Sequence, residues 1–173
     1  MISIKIENID KAIKQLEDYQ KSLEDRSRRL LERLAEIGIE VAAARFSSAQ
    51  YDGVNDVVVN DSPEWVDKTK LIISATGSAV TFIEFGTGVH YAEQHPKAEE
   101  LGAMRGEYGQ GKGSRDSWTY YGDPGTNGKV VRESDKGTVV RTHGNPPARA
   151  MYDAGKEMRE RILEVSREVF GNS

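Results

Sequence analysis

Hydrophobic residues in the first part of the chain recur in steps of three and four: Ile9, Ile13, Leu16, Leu23, Leu30, Leu34, Ile37 and Val41, with Gln20 and Ser27 as polar interruptions. This is the period of one helix face, so the pattern predicts a helix running to about Arg45, with Asn8 or Asp10 able to cap its start. The opposite face carries Glu7/Lys11, Asp10/Lys14, Glu17/Lys21, Glu24/Arg28 and Asp25/Arg29. Each such four-residue pair adds about 0.2–0.5 kcal/mol to an isolated helix. A helix of this extent would be about 50 Å long, more than a compact domain of this size can cover. Part of the seam is therefore expected to meet a second helix or another chain. Ahead of it, Met1 to Ile6 alternates apolar and polar residues in the manner of a short strand.

After Arg45 the pattern changes. Residues 54–60, 70–75 and 79–85 read as short strands, the last two joined across Thr76-Gly77-Ser78 in an antiparallel hairpin. Residues 86–128 are rich in glycine and aromatics without a sustained period, the signature of a long loop. Residues 129–132 and 138–141 form a second predicted hairpin, turning through Ser134-Asp135-Lys136-Gly137. Asn145-Pro146-Pro147 then reads as a helix start, because proline loses nothing in a first turn and asparagine can cap it. That helix is predicted to reach Phe170, with Met151, Ala154, Met158, Ile162, Val165 and Val169 as a stripe able to pack on the sheet or the first helix. The expected class is α+β, with a long N-terminal helix, a small and mostly antiparallel sheet, and a C-terminal helix packed alongside. One domain over residues 1–173 is expected, with an extended insertion at about 88–142.

A length of 173 residues suits one core, and 37% apolar against 30% charged residues makes that core modest. Much of the chain must then lie at surfaces or subunit contacts. The balance of 24 basic and 28 acidic residues, a net charge of -4, opposes non-specific capture of a polyanion. The absence of cysteine excludes a disulfide framework and thiolate metal sites, and makes intracellular synthesis the simplest expectation. No apolar stretch has the length of a signal peptide or membrane span, so a soluble protein without membrane contact is expected.

Three segments invite a chemical reading. Gly106-Glu107-Tyr108-Gly109-Gln110-Gly111-Lys112-Gly113-Ser114 nearly spells a phosphate-binding loop, but Gly113 stands where a hydroxyl should ligand magnesium. Without a buried strand before it or an apolar helix after it, no scaffold supports nucleotide binding. His90-Tyr91-Ala92-Glu93-Gln94-His95, with His143 far downstream, suggests a metal site, yet the spacing fits no zinc-protease pattern. Pro96 also keeps a regular helix from continuing through His95. Neither a metal nor another cofactor is expected. Trp118, Tyr120 and Tyr121, with Arg105 and Arg115, have the composition enriched at the centres of protein interfaces. The same rings could equally cover the domain's own sheet.

The most specific pairing joins Phe82-Ile83-Glu84-Phe85-Gly86-Thr87-Gly88 with Asn145-Pro146-Pro147-Ala148-Arg149-Ala150-Met151. Gly86 and Gly88 permit backbone angles closed to other residues, so the chain is expected to leave the sheet sharply at the end of this strand, with Glu84 and Thr87 tying the corner. Together the motifs resemble the tail-component, or tail-completion, family of long-tailed double-stranded DNA bacteriophages. That family has an apolar strand ending in Glu-aromatic-Gly-Thr, a variable insertion, and a proline-rich lead-in to a final helix. The order of elements agrees over most of the chain, while the matching residues are Glu84, Phe85, Gly86, Thr87 and Gly88, then Pro146 to Ala154, including Pro147, Arg149 and Met151. Relatives often place a bulky aromatic after the prolines, where this chain has Met151.

The resemblance implies a non-enzymatic virion protein of the neck or upper tail, made in the host cytoplasm. Its copies would form a ring, six-fold by the same resemblance, between the head connector or stopper and the tail tube or tail terminator. Genomic DNA would pass through the ring without sequence-specific binding. Loops from neighbouring copies would interlock, with the insertion ordering on assembly. Three other readings stay open: a metal-dependent hydrolase or nuclease using His90, Glu93 and His95; a minor tail subunit; and a coiled-coil adaptor acting through the seam from Ile9 to Val41.

Overall fold

The computed structural model describes residues 9–91, 93–109 and 114–171. The predicted strand at 1–6, the candidate cap Asn8 and residues 110–113 of the glycine-rich stretch lie outside the described residues. Helix α1 (Ile9–Ser47) is 39 residues long, placing Asp10 inside its first turn. Strands β1 (Val58–Val59), β2 (Glu64–Trp65), β3 (Leu71–Ile72) and β4 (Ala75–Thr76) follow, then helix α2 (Val80–Phe85). Strands β5 (Trp118–Tyr121), β6 (Lys129–Ser134) and β7 (Gly137–Thr142) lead to helix α3 (Ala150–Phe170). The α+β class, the long first helix, the antiparallel pairing and the C-terminal helix are as the pattern predicts.

The sheet is divided into three small pieces. Strands β1 and β4 pair, β2 and β3 pair, and β5-β7-β6 form a three-stranded sheet, all antiparallel. The hairpin expected between 70–75 and 79–85 is not formed, because residues 80–85 are helical. The run Val-Thr-Phe-Ile-Glu-Phe has strand propensity, but Ala79 and Ile83 are both buried, and their four-residue separation is a helical repeat. The carboxylate of Asp56 fixes the turn before the helix, accepting hydrogen bonds from the Ser78 hydroxyl at 2.7 Å and from the Ser78 and Ala79 amides at 2.8 and 2.9 Å. Those bonds, the hydroxyl first, hold its pKa down to about 2. Gly86 ends the helix at φ 80°.

The insertion is likewise not one long loop. Residues 89–91 and 93–109 form a series of turns, and 118–121 form a strand that pairs with β7. The second predicted hairpin is present as β6 and β7, with Ser134 opposite Gly137 at its turn. Strand β7 is the middle strand and buries Val139, Val140 and Thr142, whereas β6 is an edge strand with Val130 and Val131 exposed. The sheet is fastened to the rest of the chain through Asp52, whose carboxylate accepts from the Thr142 hydroxyl and, at 3.1 Å, from the Asn127 amide.

Helix α3 lies antiparallel to the C-terminal half of α1. Arg45 pairs with Asp153 at 3.0 Å, Gly38 faces Met158, and Val169 shares a groove with Arg29 and Arg33. The lack of a side chain at Gly38 allows this approach, since a Cβ there would lie 2.7 Å from Met158 Sδ. The core beneath is built from Ala42, Phe46, Ala79, Ile83, Ala150 and Ala154. Four alanines let the three helices close together, while Phe46 and Ile83 fill the space left between them, each contributing about 1.5–3 kcal/mol by burial.

The predicted seam consequently splits. Leu34 is buried, whereas Ile9, Ile13, Leu16 and Leu23 are exposed, as is Tyr19 beside the seam. With 21 residues, α3 reaches about 31 Å along a partner that extends about 58 Å. The first 17 or so residues of α1 thus form an arm beyond it. Among the described residues, no helix is long and apolar enough to cross a membrane.

Candidate functional site

The two motifs that carry the family resemblance lie against each other. Backbone bonds run from the Thr87 amide to the Asn145 carbonyl at 2.9 Å, from Ala148 to Ile83 at 2.8 Å and from Arg149 to Glu84 at 3.2 Å. The Asn145 amide donates to the Thr87 hydroxyl, which itself donates to Asn145 Oδ1 at 2.6 Å, and Asn145 Nδ2 donates to the Phe82 carbonyl. The chains approach so closely that a Cβ on Gly86 would lie 2.8 Å from the Asn145 carbonyl oxygen, and one on Gly88 2.6 Å from that of His143. Glycine is required there for both space and positive φ.

Glu84 is buried at the centre of this junction. Its Oε2 accepts from the Met151 amide at 2.9 Å, and its Oε1 accepts from the Tyr152 amide at 3.0 Å and from His95 Nε2 at 3.2 Å. His95 Nδ1 accepts the Lys97 amide at 3.1 Å, so the proton belongs on Nε2, where it points at the carboxylate. Glu84 therefore caps α3 from another element, offering negative charge to the positive end of the helix dipole. Phe85 and Tyr152 pack edge-on against the His95 ring, with centroids at 4.6 and 5.4 Å. The Tyr108 hydroxyl donates to the Gly86 carbonyl, and burial pushes its pKa up to about 12.

This arrangement corrects the expected helix start. Asn145, Pro146 and Pro147 precede α3, which begins at Ala150. Asn145 cannot cap the helix because its side chain is already engaged with Thr87 and Phe82. Arg149 makes the final turn into α3 with φ 55° and ψ 36°, a left-handed conformation costing a non-glycine residue about 1–2 kcal/mol. Met151 is half-buried and packs against the core cluster.

The proposed grouping of His90, Glu93 and His95 is not assembled. Both ring nitrogens of His95 are engaged in the buried junction, and Glu93 is exposed in a turn with φ 75°. His90 instead meets Asp116 and His143. His90 Nε2 lies 2.6 Å from Asp116 Oδ1, and His143 Nδ1 lies 3.5 Å from Asp116 Oδ2 and 3.1 Å from the Asp116 carbonyl oxygen. Proximity in sequence misled here, and the missing signal was the β5–β7 register. Trp118 opposes Thr142, so the same antiparallel pairing, continued outward, brings Asp116 beside His143 and Gly144.

The aromatic and basic cluster is divided between two faces. Trp118 and Tyr120 are half-buried on one side of β5, and the Tyr120 hydroxyl donates to the Asp123 carbonyl at 2.7 Å. Tyr121 points the other way and is exposed, as are Arg105 and Arg115. The cation over an indole is elsewhere: the Arg28 guanidinium stands 4.6 Å from the Trp65 ring centre. No family model, curated protein or solved structure matches the chain.

Proposed function

We propose that this protein is a structural component of a long-tailed bacteriophage particle, a ring-forming subunit of the neck or upper tail that joins the DNA-filled head to the tail. The observation that carries the reading is the arm of α1, which ends its contact with α3 yet keeps an apolar stripe: Leu16 is 68% and Tyr19 67% exposed. An amphipathic helix gains its stability by burying that stripe, and a neighbouring copy or virion protein would supply the cover. The exposed valines of edge strand β6 offer a second surface of the same kind. The tight joining of the Glu84–Gly88 and Asn145–Met151 segments supports the resemblance, because the residues that carry it act as one physical unit.

In this role nothing is turned over. Repeated contacts around a ring would multiply weak individual interfaces and leave a channel for DNA, which the acidic balance of the chain would not retain. Electron microscopy of particles assembled without the protein tests the reading. Separate full heads and finished tails are expected, and normal virions would refute it. Replacing both Leu16 and Leu23 with Glu should have the same effect on joining while leaving the free protein folded.

A further inference from the structure

We propose that His90, Asp116 and His143 form a binding site for a divalent transition ion, with zinc the best fit, which staples the segment after α2 to the sheet of the insertion. Among the described residues this is the one group of three potential ligands that converges, with all ligand atoms within 4.8 Å of one another. Two imidazoles and one carboxylate are the donors of a borderline ion such as Zn²⁺, and calcium or magnesium would demand more oxygen. Zinc bonds of about 2.0–2.2 Å in tetrahedral geometry place ligand atoms roughly 3.3 Å apart. Small side-chain rotations would convert the 2.6 and 3.5 Å contacts into that spacing.

The three ligands come from different parts of the chain, and each is held by its backbone. His90 follows Gly88, whose close contact with the His143 carbonyl fixes the two strands of chain side by side. The Gln94 side chain donates to the His90 carbonyl at 2.7 Å. Asp116 is set by its position just ahead of β5, and His143 by its position just after β7. His143 Nδ1 is the nitrogen that faces Asp116, 3.5 Å from its Oδ2 and 3.1 Å from its carbonyl oxygen, and it is the one placed to ligate the ion. The side chains are more than half exposed, so an ion can enter from solvent, and a fourth coordination position remains for water. The site is independent of the proposed neck role and would operate in the free chain.

The test is a zinc titration of the purified full-length chain, free of any affinity tag and stripped with chelator. One ion per chain is expected, with protection from hydrogen exchange rising at residues 88–91 and 114–118. Asp116→Asn, His90→Ala and His143→Ala should each weaken binding at least about tenfold, since loss even of a group that only orients a ligand costs about 10–100-fold. All three positions are exposed, so these variants should keep their fold, and Glu99→Gln at another exposed carboxylate should bind as the parent does. Cobalt in place of zinc should give the intense visible bands of a four-coordinate ion and lose them in His143→Ala. Failure of the parent chain to take up zinc would overturn the proposal, as would uptake that the three ligand variants leave unchanged. In either case the group is a hydrogen-bonded surface triad only.

Discussion

The junction between α2 and α3 and the arm of α1 show opposite uses of the chain. At the junction Glu84 is 6% exposed and both its oxygens are hydrogen-bonded, Asn145 is bonded on every side, and glycines let two backbones touch. Along the arm, apolar side chains face solvent, and Gln20 donates to Glu24 four residues on. Specificity of the monomer fold is concentrated in the first region, because a buried polar group left unpaired is costly and every alternative packing would leave several. The second region contributes little to the isolated chain, which leaves its apolar stripe uncovered.

The largest expected break in this contrast is Gly144→Ala. Gly144 has φ 92°, and a Cβ there would collide with the Thr87 carbonyl oxygen. Left-handed strain and backbone displacement together should cost roughly 3–5 kcal/mol. Urea unfolding of the full chain measures it, and a loss below about 1 kcal/mol would show that the junction yields more readily than its packing suggests. Next comes Glu84→Ala, which strips the amides of Met151 and Tyr152 and the His95 ring of their acceptor. About 2–4 kcal/mol should be lost. Glu84→Gln keeps one acceptor oxygen and should lose about half as much. Equal losses for the two variants would place the effect in the negative charge instead of the hydrogen bonds.

Local pattern was enough to predict α1, α3 to its end at Phe170, the β6–β7 hairpin and the corner at Gly86. It failed where a distant residue decides the conformation. Helix α2 has the composition of a strand, and the carboxylate that fixes its start belongs to Asp56, more than 20 residues earlier. The cap of α3 comes from Glu84, 67 residues before the amide of Met151 that it accepts. Strand β5 was visible in principle as an aromatic and β-branched run closed by Gly122-Asp123-Pro124-Gly125, but its glycine-rich approach hid the short alternation. The ligand group of His90, Asp116 and His143 needs both the strand register and the junction, so no spacing rule along the chain could have found it. The seam of α1 is set by local pattern, while its division into docked and projecting halves follows from the shorter length of α3.

The smallest expected effect lies in the arm. Leu16→Ser and Tyr19→Ser remove side chains that are already in water, so each should change the stability of the free chain by no more than about 0.5 kcal/mol. The same chemistry at Leu34, buried against the rest of the fold, should cost at least about 2–5 kcal/mol, the range of a large-to-small core substitution. Thermal and urea unfolding at low protein concentration compare the two directly. If the arm variants destabilise the chain as Leu34→Ser does, then the free protein already buries the arm against a second copy, and that stabilisation should fade on dilution. If they do not, the apolar stripe has no role in the monomer, and any defect these variants cause in particle joining is a defect of contact, not of folding.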